Sequence, residues 1–149
     1  MIHNDVLRRL RYALGLSNEQ MLGIFRQLDY DIPAEHLLNI MKKEGENGFI
    51  LCRDSVLCLF LDGLIIERRG RQEGQVYGLL PGQPLPNNDI LRKLRIALQL
   101  KDEDMMAILA LADFRVSKAE LSALFRHPGH RNYQVCGNQF LRNFLLGLT

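Results

Sequence analysis

The sequence contains two copies of one segment, because residues 4–64 recur as residues 88–148 at a constant spacing of 84 positions without a gap. The copies are identical at 21 of 61 aligned positions. The positions shared by both copies, in first-copy numbering, are Asn4, Asp5, Leu7, Arg8, Leu10, Arg11, Ala13, Leu14, Leu16, Glu19, Met21, Ile24, Asp29, Leu37, Gly45, Cys52, Leu57, Phe60, Leu61, Gly63 and Leu64. The duplication predicts two equivalent structural units, but it indicates no chemistry by itself.

Apolar residues recur at helical spacing in each copy. Val6 and Leu10 mark a first helix, for which Asn4 or Asp5 is the expected capping residue. Similar stripes follow around Met21, Leu37 and Leu57 and at the matching positions of the second copy. Each copy is therefore expected to form four short helices.

Several local signals place the helix boundaries. Ser17 and Gln20 form a capping box for the second helix, whereas Asp102 is the expected cap in the second copy. Pro33 suits the first turn of the third helix, where its missing N–H would be unpaired anyway. Residues 44–48 and 127–132 are expected to be loops because they combine Gly or Pro with Asn.

Residues 65–87 are rich in Gly and Pro and are expected to form a linker. Residues 64–66 and 76–77 could pair as a small β-hairpin around a basic turn. The predicted fold is all-α, with helical repeats at 1–64 and 88–149. Units of about 60 residues are marginal alone, so we expect them to pack together with pseudo-twofold symmetry.

Composition excludes several classes of protein. The net charge of +2 is too small to require a polyanionic partner. No apolar run approaches the length of a membrane span, and the N-terminal residues do not resemble an export signal. A cytoplasmic location is therefore expected. In that reducing compartment the three cysteines, which cannot all pair with one another, are expected to be free thiols.

Two motifs resemble a known family. One is Asn-Asp-x-Leu-Arg-x-x-Arg, which begins at Asn4 and again at Asn88, and the other runs from Cys52 to Leu64 and is followed by Glu-Arg-Arg-Gly. Nearly the whole chain resembles the YehS-like family of bacterial proteins, a duplicated domain of unknown function. The resemblance implies an intracellular helical protein of bacterial origin and transfers no catalytic residue.

The shared arginines of the first helix are the main candidates for binding. These are Arg8, Arg11, Arg92 and Arg95. Each pair is spaced i and i+3, so it lies on one side of its helix and could bind phosphate or carboxylate groups. The alternative interpretation is structural and is favoured, because both copies also keep acids that could form ion pairs. These acids are Glu19, Asp29, Glu103 and Asp113.

No catalytic or metal-binding constellation is evident. Cys52 and Cys136 precede the last helix of each copy and are expected to be inert core residues. His127, His130 and Cys136 suggest a metal site only weakly, because the first copy has Lys43 and Glu46 where the histidines stand. We therefore expect no cofactor and no enzymatic activity.

Two functions remain open from the sequence. The favoured one is a non-enzymatic helical module that binds an unidentified protein partner. The alternative is nucleic-acid binding through the helix-one arginines and the linker residues Arg68, Arg69 and Arg71, although the absence of Trp and the modest aromatic content disfavour stacking on bases. The sequence does not indicate an oligomeric state.

Overall fold

Eight helices and their connecting loops make up the computed structural model, which describes residues 1–149 and contains no strand. The first repeat contains α1 (His3–Leu14), α2 (Asn18–Arg26), α3 (Ala34–Ile40) and α4 (Asp54–Arg69). The second repeat contains α5 (Asn87–Leu98), α6 (Asp102–Leu111), α7 (Lys118–Leu124) and α8 (Asn138–Leu148). The prediction of an all-α protein with four helices in each copy is confirmed.

The helix caps follow the sequence only in part. The Ser17 capping box is present, because Ser17 Oγ accepts from Gln20 N at 3.1 Å and Gln20 Oε1 accepts from Ser17 N at 2.8 Å. The N-cap of α1 is Ile2 rather than Asn4 or Asp5. Asp5 instead accepts a hydrogen bond from Ile2 N at 3.1 Å.

Two further caps lie one residue before the predicted positions. Lys101, not Asp102, is the N-cap of α6, and Asp104 accepts its backbone N–H at 2.8 Å. Pro33 is the N-cap of α3 rather than a residue of its first turn. Both differences are within the one or two residues by which helix boundaries commonly vary.

The two repeats share one hydrophobic core. Helix α4 packs on α5, and α8 packs on α1, so each repeat contributes helices to both contacts. Fully buried side chains from both repeats belong to one continuous cluster. The large members include Phe25, Phe60, Leu94, Leu141 and Phe144. Burial between the repeats compensates for the small size of each one.

A shared glycine brings two helices together in each repeat. A Cβ atom added to Gly63 on α4 would lie 2.2 Å from the carbonyl oxygen of Ile24 on α2. The equivalent distance from Gly147 on α8 to the carbonyl oxygen of Ile108 on α6 is 2.0 Å. No side chain fits at these crossings, which explains why both copies keep glycine there.

A buried asparagine joins the start of each first helix to two later segments. Asn4 donates to the carbonyl oxygens of Ile40 and Ile50, both at 2.8 Å, and accepts from Cys52 N at 2.8 Å. Asn88 makes the three equivalent bonds at 2.8 to 3.0 Å. The shared asparagine therefore satisfies buried backbone groups of distant segments, which is not the capping role that its position predicts.

A second polar contact links the same regions and differs between the copies. His3 Nε2 contacts Asp54 Oδ1 in the first repeat. In the second repeat, Asn87 Nδ2 donates to Asn138 Oδ1 at 2.8 Å. The change from Asp54 to Asn138 is therefore matched by the change from His3 to Asn87. A histidine–carboxylate contact in the first repeat becomes an amide–amide hydrogen bond in the second.

The predicted β-hairpin in the linker is not formed. Helix α4 continues to Arg69 because Ile65 and Ile66 are buried, so the helical part of the first repeat extends beyond residue 64. Residues 70–86 contain turns and irregular backbone without strand pairing. No helix has both the length and the apolar character needed to cross a membrane.

Candidate functional site

Two of the four helix-one arginines bind an aspartate of their own helix. Arg8 Nη2 contacts Asp5 Oδ1, and Arg8 Nη1 also donates to the carbonyl oxygen of Lys42 at 2.7 Å. Arg92 Nη1 lies 3.3 Å from Asp89 Oδ1. These i, i+3 pairs occupy the guanidinium groups locally and hold them along the helix.

Arg95 is held by three groups of the second repeat. Its Nε donates to the carbonyl oxygen of Leu100 at 3.0 Å, and its Nη2 lies 2.6 Å from Asp102 Oδ1. The guanidinium lies over the Phe125 ring, with Cζ 4.7 Å from the ring centroid. Arg95 therefore has a structural role in the second repeat.

Arg11 is the equivalent residue of the first repeat, but it is only partly occupied. Its Nε donates to the carbonyl oxygen of Leu16 at 3.3 Å. No carboxylate lies within ion-pair distance of its guanidinium. A cavity of about 560 Å³ lies beside it. Its lining residues are Arg8, Arg11, Tyr12, Gly15, Leu16 and Met41.

The four acids predicted to pair with these arginines form no ion pair with them. Asp29 and Asp113 have φ values of 58° and 55°, so both occupy the left-handed backbone region after α2 and α6. Aspartate tolerates this conformation better than most side chains, which accounts for its retention. Glu103 lies 3.9 Å from Lys118 on the surface, and Glu19 is exposed. The prediction that these acids pair with the helix-one arginines is therefore wrong. Arg8, Arg92 and Arg95 pair with other aspartates.

The three linker arginines separate into two groups. Arg68 and Arg69 are exposed in the last turn of α4, where positive charge is favourable. Arg71 donates from Nη2 to the carbonyl oxygen of Gln27 at 2.9 Å. Its guanidinium lies over the Tyr77 ring, with Cζ 5.4 Å from the ring centroid. Arg71 therefore fixes the linker to the first repeat, and the seven candidate arginines do not converge on one site.

The linker covers one contact between the repeats, which we call the α4–α5 face and define by Asp62, Lys93 and Ile96. Asp62 Oδ2 accepts from Gly78 N at 2.7 Å, and Asp62 Oδ1 lies 2.6 Å from Lys93 Nζ. Leu85 is buried in the core cluster. A cavity of about 700 Å³ remains between the linker and this face.

The corresponding residues of the other contact, 84 positions away, are Leu146, Arg9 and Tyr12, and we call them the α1–α8 face. Tyr12 is 79% exposed and Leu146 is 49% exposed, so this face lacks the cover that the linker gives its counterpart. Arg9 has no carboxylate within ion-pair distance, whereas Lys93 is paired. In the sequence, this difference between the two faces is marked by Asp62 in the first copy and Leu146 at the equivalent position of the second copy.

The three thiols are buried and poorly suited to nucleophilic chemistry. Burial raises the pKa of Cys52 to about 12, and the nearby Asp54 carboxylate adds to this effect. Burial likewise raises the pKa of Cys58 to about 12 and that of Cys136 to about 11. The expected free thiols are confirmed. No three His, Cys, Asp or Glu side chains lie together in a way that could hold a metal ion.

Comparisons with known proteins place the chain in a family. The family model described as "Protein of unknown function (DUF1456)" matches residues 3–70 and again residues 87–149. The chain is 45% identical over 149 residues to "Uncharacterized protein YehS" of Escherichia coli (strain K12), covering 100% of this chain and 95% of that protein. No solved structure matches. The two matches of the family model correspond to the two helical repeats, and the chain belongs to the DUF1456 family, which includes YehS-like proteins of unknown function.

Proposed function

We propose that this protein is a non-enzymatic interaction module and that a protein partner docks on the α1–α8 face. The proposal treats the repeats as halves related by an approximate twofold axis, so the α1–α8 face is the counterpart of the α4–α5 face. The observation that carries it is the linker, which covers one face and leaves the other without a cover.

The covered face indicates the chemistry of the partner. The linker contributes apolar side chains, such as Leu79 and Leu85, and a backbone N–H from Gly78. An extended apolar segment of another protein would give the α1–α8 face a comparable cover. Large exposed apolar groups such as Tyr12 and Leu146 are suited to such contacts.

Charge specifies the partner further. On the α4–α5 face, Asp62 of the protein itself neutralises Lys93. On the α1–α8 face, Leu146 replaces that acid and leaves Arg9 without a carboxylate partner. The docking segment is therefore expected to carry an Asp or Glu beside its apolar residues, because this would pair the charge of Arg9.

Site-specific photocrosslinking in bacterial cells tests the proposal. A benzoylphenylalanine at position 146 should form a discrete adduct with a partner, and the substitution Arg9→Glu in the same chain should remove that adduct. The control places the same crosslinker at Leu111, which is 78% exposed on α6. The proposal is lost if position 146 gives no adduct beyond that of position 111, or if Arg9→Glu leaves the adduct unchanged.

Nucleic-acid binding is a weaker second proposal. It is supported by Arg68 and Arg69, which are exposed and form no ion pair. Retention on heparin across a salt series should fall in the double variant Arg68→Ala/Arg69→Ala if these residues contact phosphates. Unchanged retention would remove this alternative.

A further inference from the structure

The two repeats hold the same guanidinium group in two different surroundings. Arg11 and Arg95 occupy equivalent positions, and each donates from Nε to the carbonyl oxygen of the residue five positions later, at 3.3 Å and 3.0 Å respectively. This shared bond orients both side chains against the end of their helix. The remaining donors and the flat face of each guanidinium are then free to bind other groups.

In the second repeat the protein supplies those groups itself. The carboxylate of Asp102 binds Nη2 of Arg95, and the ring of Phe125 lies against the face of the guanidinium. A carboxylate at the edge and an aromatic ring on the face are the two contacts that a planar guanidinium makes best. The second repeat therefore supplies both of these contacts to Arg95 from its own residues.

In the first repeat both groups are missing. Asn18 stands where Asp102 lies, and Met41 stands where Phe125 lies. An open cavity of about 560 Å³ lies beside Arg11, and Tyr12, Leu16 and Met41 are among its lining residues. Asp5 offsets the charge of Arg8 but no acid offsets that of Arg11, so the cavity carries an uncompensated positive charge.

We propose that the cavity beside Arg11 binds a ligand that carries a carboxylate and an aromatic ring. The carboxylate would bind Arg11 as Asp102 binds Arg95, and the ring would pack on the wall that Tyr12, Leu16 and Met41 form. The apolar walls favour such a ligand over inorganic phosphate, because a strongly hydrated ion would lose water without gaining apolar contact. Tyr12 belongs both to this cavity and to the α1–α8 face, but neither Arg9 nor Leu146 lines the cavity, so ligand binding here and partner docking there can be tested separately.

Two sources could provide this chemistry, namely a free aromatic acid or the C-terminal phenylalanine of a peptide. Both present a carboxylate within a few bonds of a ring. Separate titrations with 3-phenylpropanoate and with the tripeptide Gly-Gly-Phe distinguish them. Tighter binding of one probe identifies the source, and saturable binding of either one at this cavity supports the proposal.

The experiment follows ¹⁵N-labelled full-length protein by nuclear magnetic resonance during the two titrations. We expect saturable shifts at the Nε–H signal of Arg11 and at the backbone amides of Tyr12 and Leu16. The neutral analogues 3-phenylpropanol and Gly-Gly-Phe amide should bind roughly tenfold more weakly or worse, because they lose a charge-assisted bond. Equal affinity for the charged and neutral probes, or no saturable shift with either charged probe, would overturn the proposal.

Exchange of residues between the repeats gives the decisive control. The variant Asn18→Asp/Met41→Phe gives Arg11 the partners that Arg95 has, so it should keep its thermal midpoint and lose probe binding. The reciprocal variant Asp102→Asn/Phe125→Met should gain probe shifts at Arg95. If the first variant is folded, as judged by its amide spectrum, and still binds the charged probes with unchanged affinity, the cavity is not the site.

Discussion

The ammonium group of Lys93 on α5 lies 2.6 Å from Oδ1 of Asp62 on α4, and the Asp62 side chain is only 1% exposed. The other oxygen of this carboxylate accepts from Gly78 N at 2.7 Å, and the Cys58 thiol donates to it at 3.4 Å. One buried carboxylate therefore connects the first repeat, the second repeat and the linker.

Removal of the Lys93 charge should be strongly destabilising. Lys93→Met leaves Asp62 buried without its cationic partner, which costs about 3 kcal/mol or more of unfolding free energy. The double variant Asp62→Leu/Lys93→Met should recover part of this loss. Urea denaturation measures both values. Lys118→Met breaks an exposed ion pair as the control and should change little. An equal effect of the two lysine substitutions would contradict this role for Asp62.

Substitution of Gly63 should separate α4 from α2. Gly63→Ala places a methyl group 2.2 Å from the carbonyl oxygen of Ile24, so we expect a loss of about 3 kcal/mol. Gly23→Ala on α2 has no atom within 4 Å of the added methyl group, and Ala107 occupies the equivalent position. This control should gain about 0.5 to 1 kcal/mol through helix propensity. Thermal unfolding by circular dichroism distinguishes the two.

Truncation of Asn4 should expose the cost of unsatisfied backbone groups. Asn4→Ala leaves the carbonyl oxygens of Ile40 and Ile50 and the N–H of Cys52 without their partner. The expected loss is about 3 to 5 kcal/mol, measured by urea denaturation. Asn47→Ala in the exposed loop is the matched control and should be nearly neutral. A small effect at Asn4 would mean that water replaces the lost bonds.

The buried thiols should make the protein less stable at alkaline pH. The pKa of Cys52 is raised from 9.0 to about 12, so above pH 9 the unfolded chain loses a proton that the folded chain keeps. The stability contribution is present below pH 9 and is lost as the pH rises toward 12, by about 1 kcal/mol per thiol at pH 10. Urea denaturation at pH 8 and pH 10 should show a smaller loss for Cys52→Ala than for the natural chain.

Thiol accessibility gives an independent check of the same prediction. At pH 8 a thiol-specific reagent should label none of the three cysteines in the folded protein and all three in denaturant. Rapid labelling of Cys52 in the folded protein would show that its surroundings are more open than this structure has them.

The number of helices and their approximate positions were predictable because they depend on local patterns. The spacing of Val6 and Leu10 identified α1, and the Ser17 box identified the start of α2. The partners of Arg95 were not predictable, because Asp102 and Phe125 approach it from the start of one helix and from the end of another. The role of Asn4 was not predictable for the same reason, since its bonds reach residues 36 to 48 positions away.

The sequence by itself determined two equivalent helical units, because the repeated apolar spacing and shared cap signals act over a few residues. Only the tertiary structure decided how the units differ. The linker covers the face that contains Asp62 and Lys93, the counterpart with Arg9 and Leu146 is left uncovered, and Arg11 lacks the partners of Arg95. These differences depend on contacts between distant segments, and their energies come from burial and charge pairing that no local pattern records.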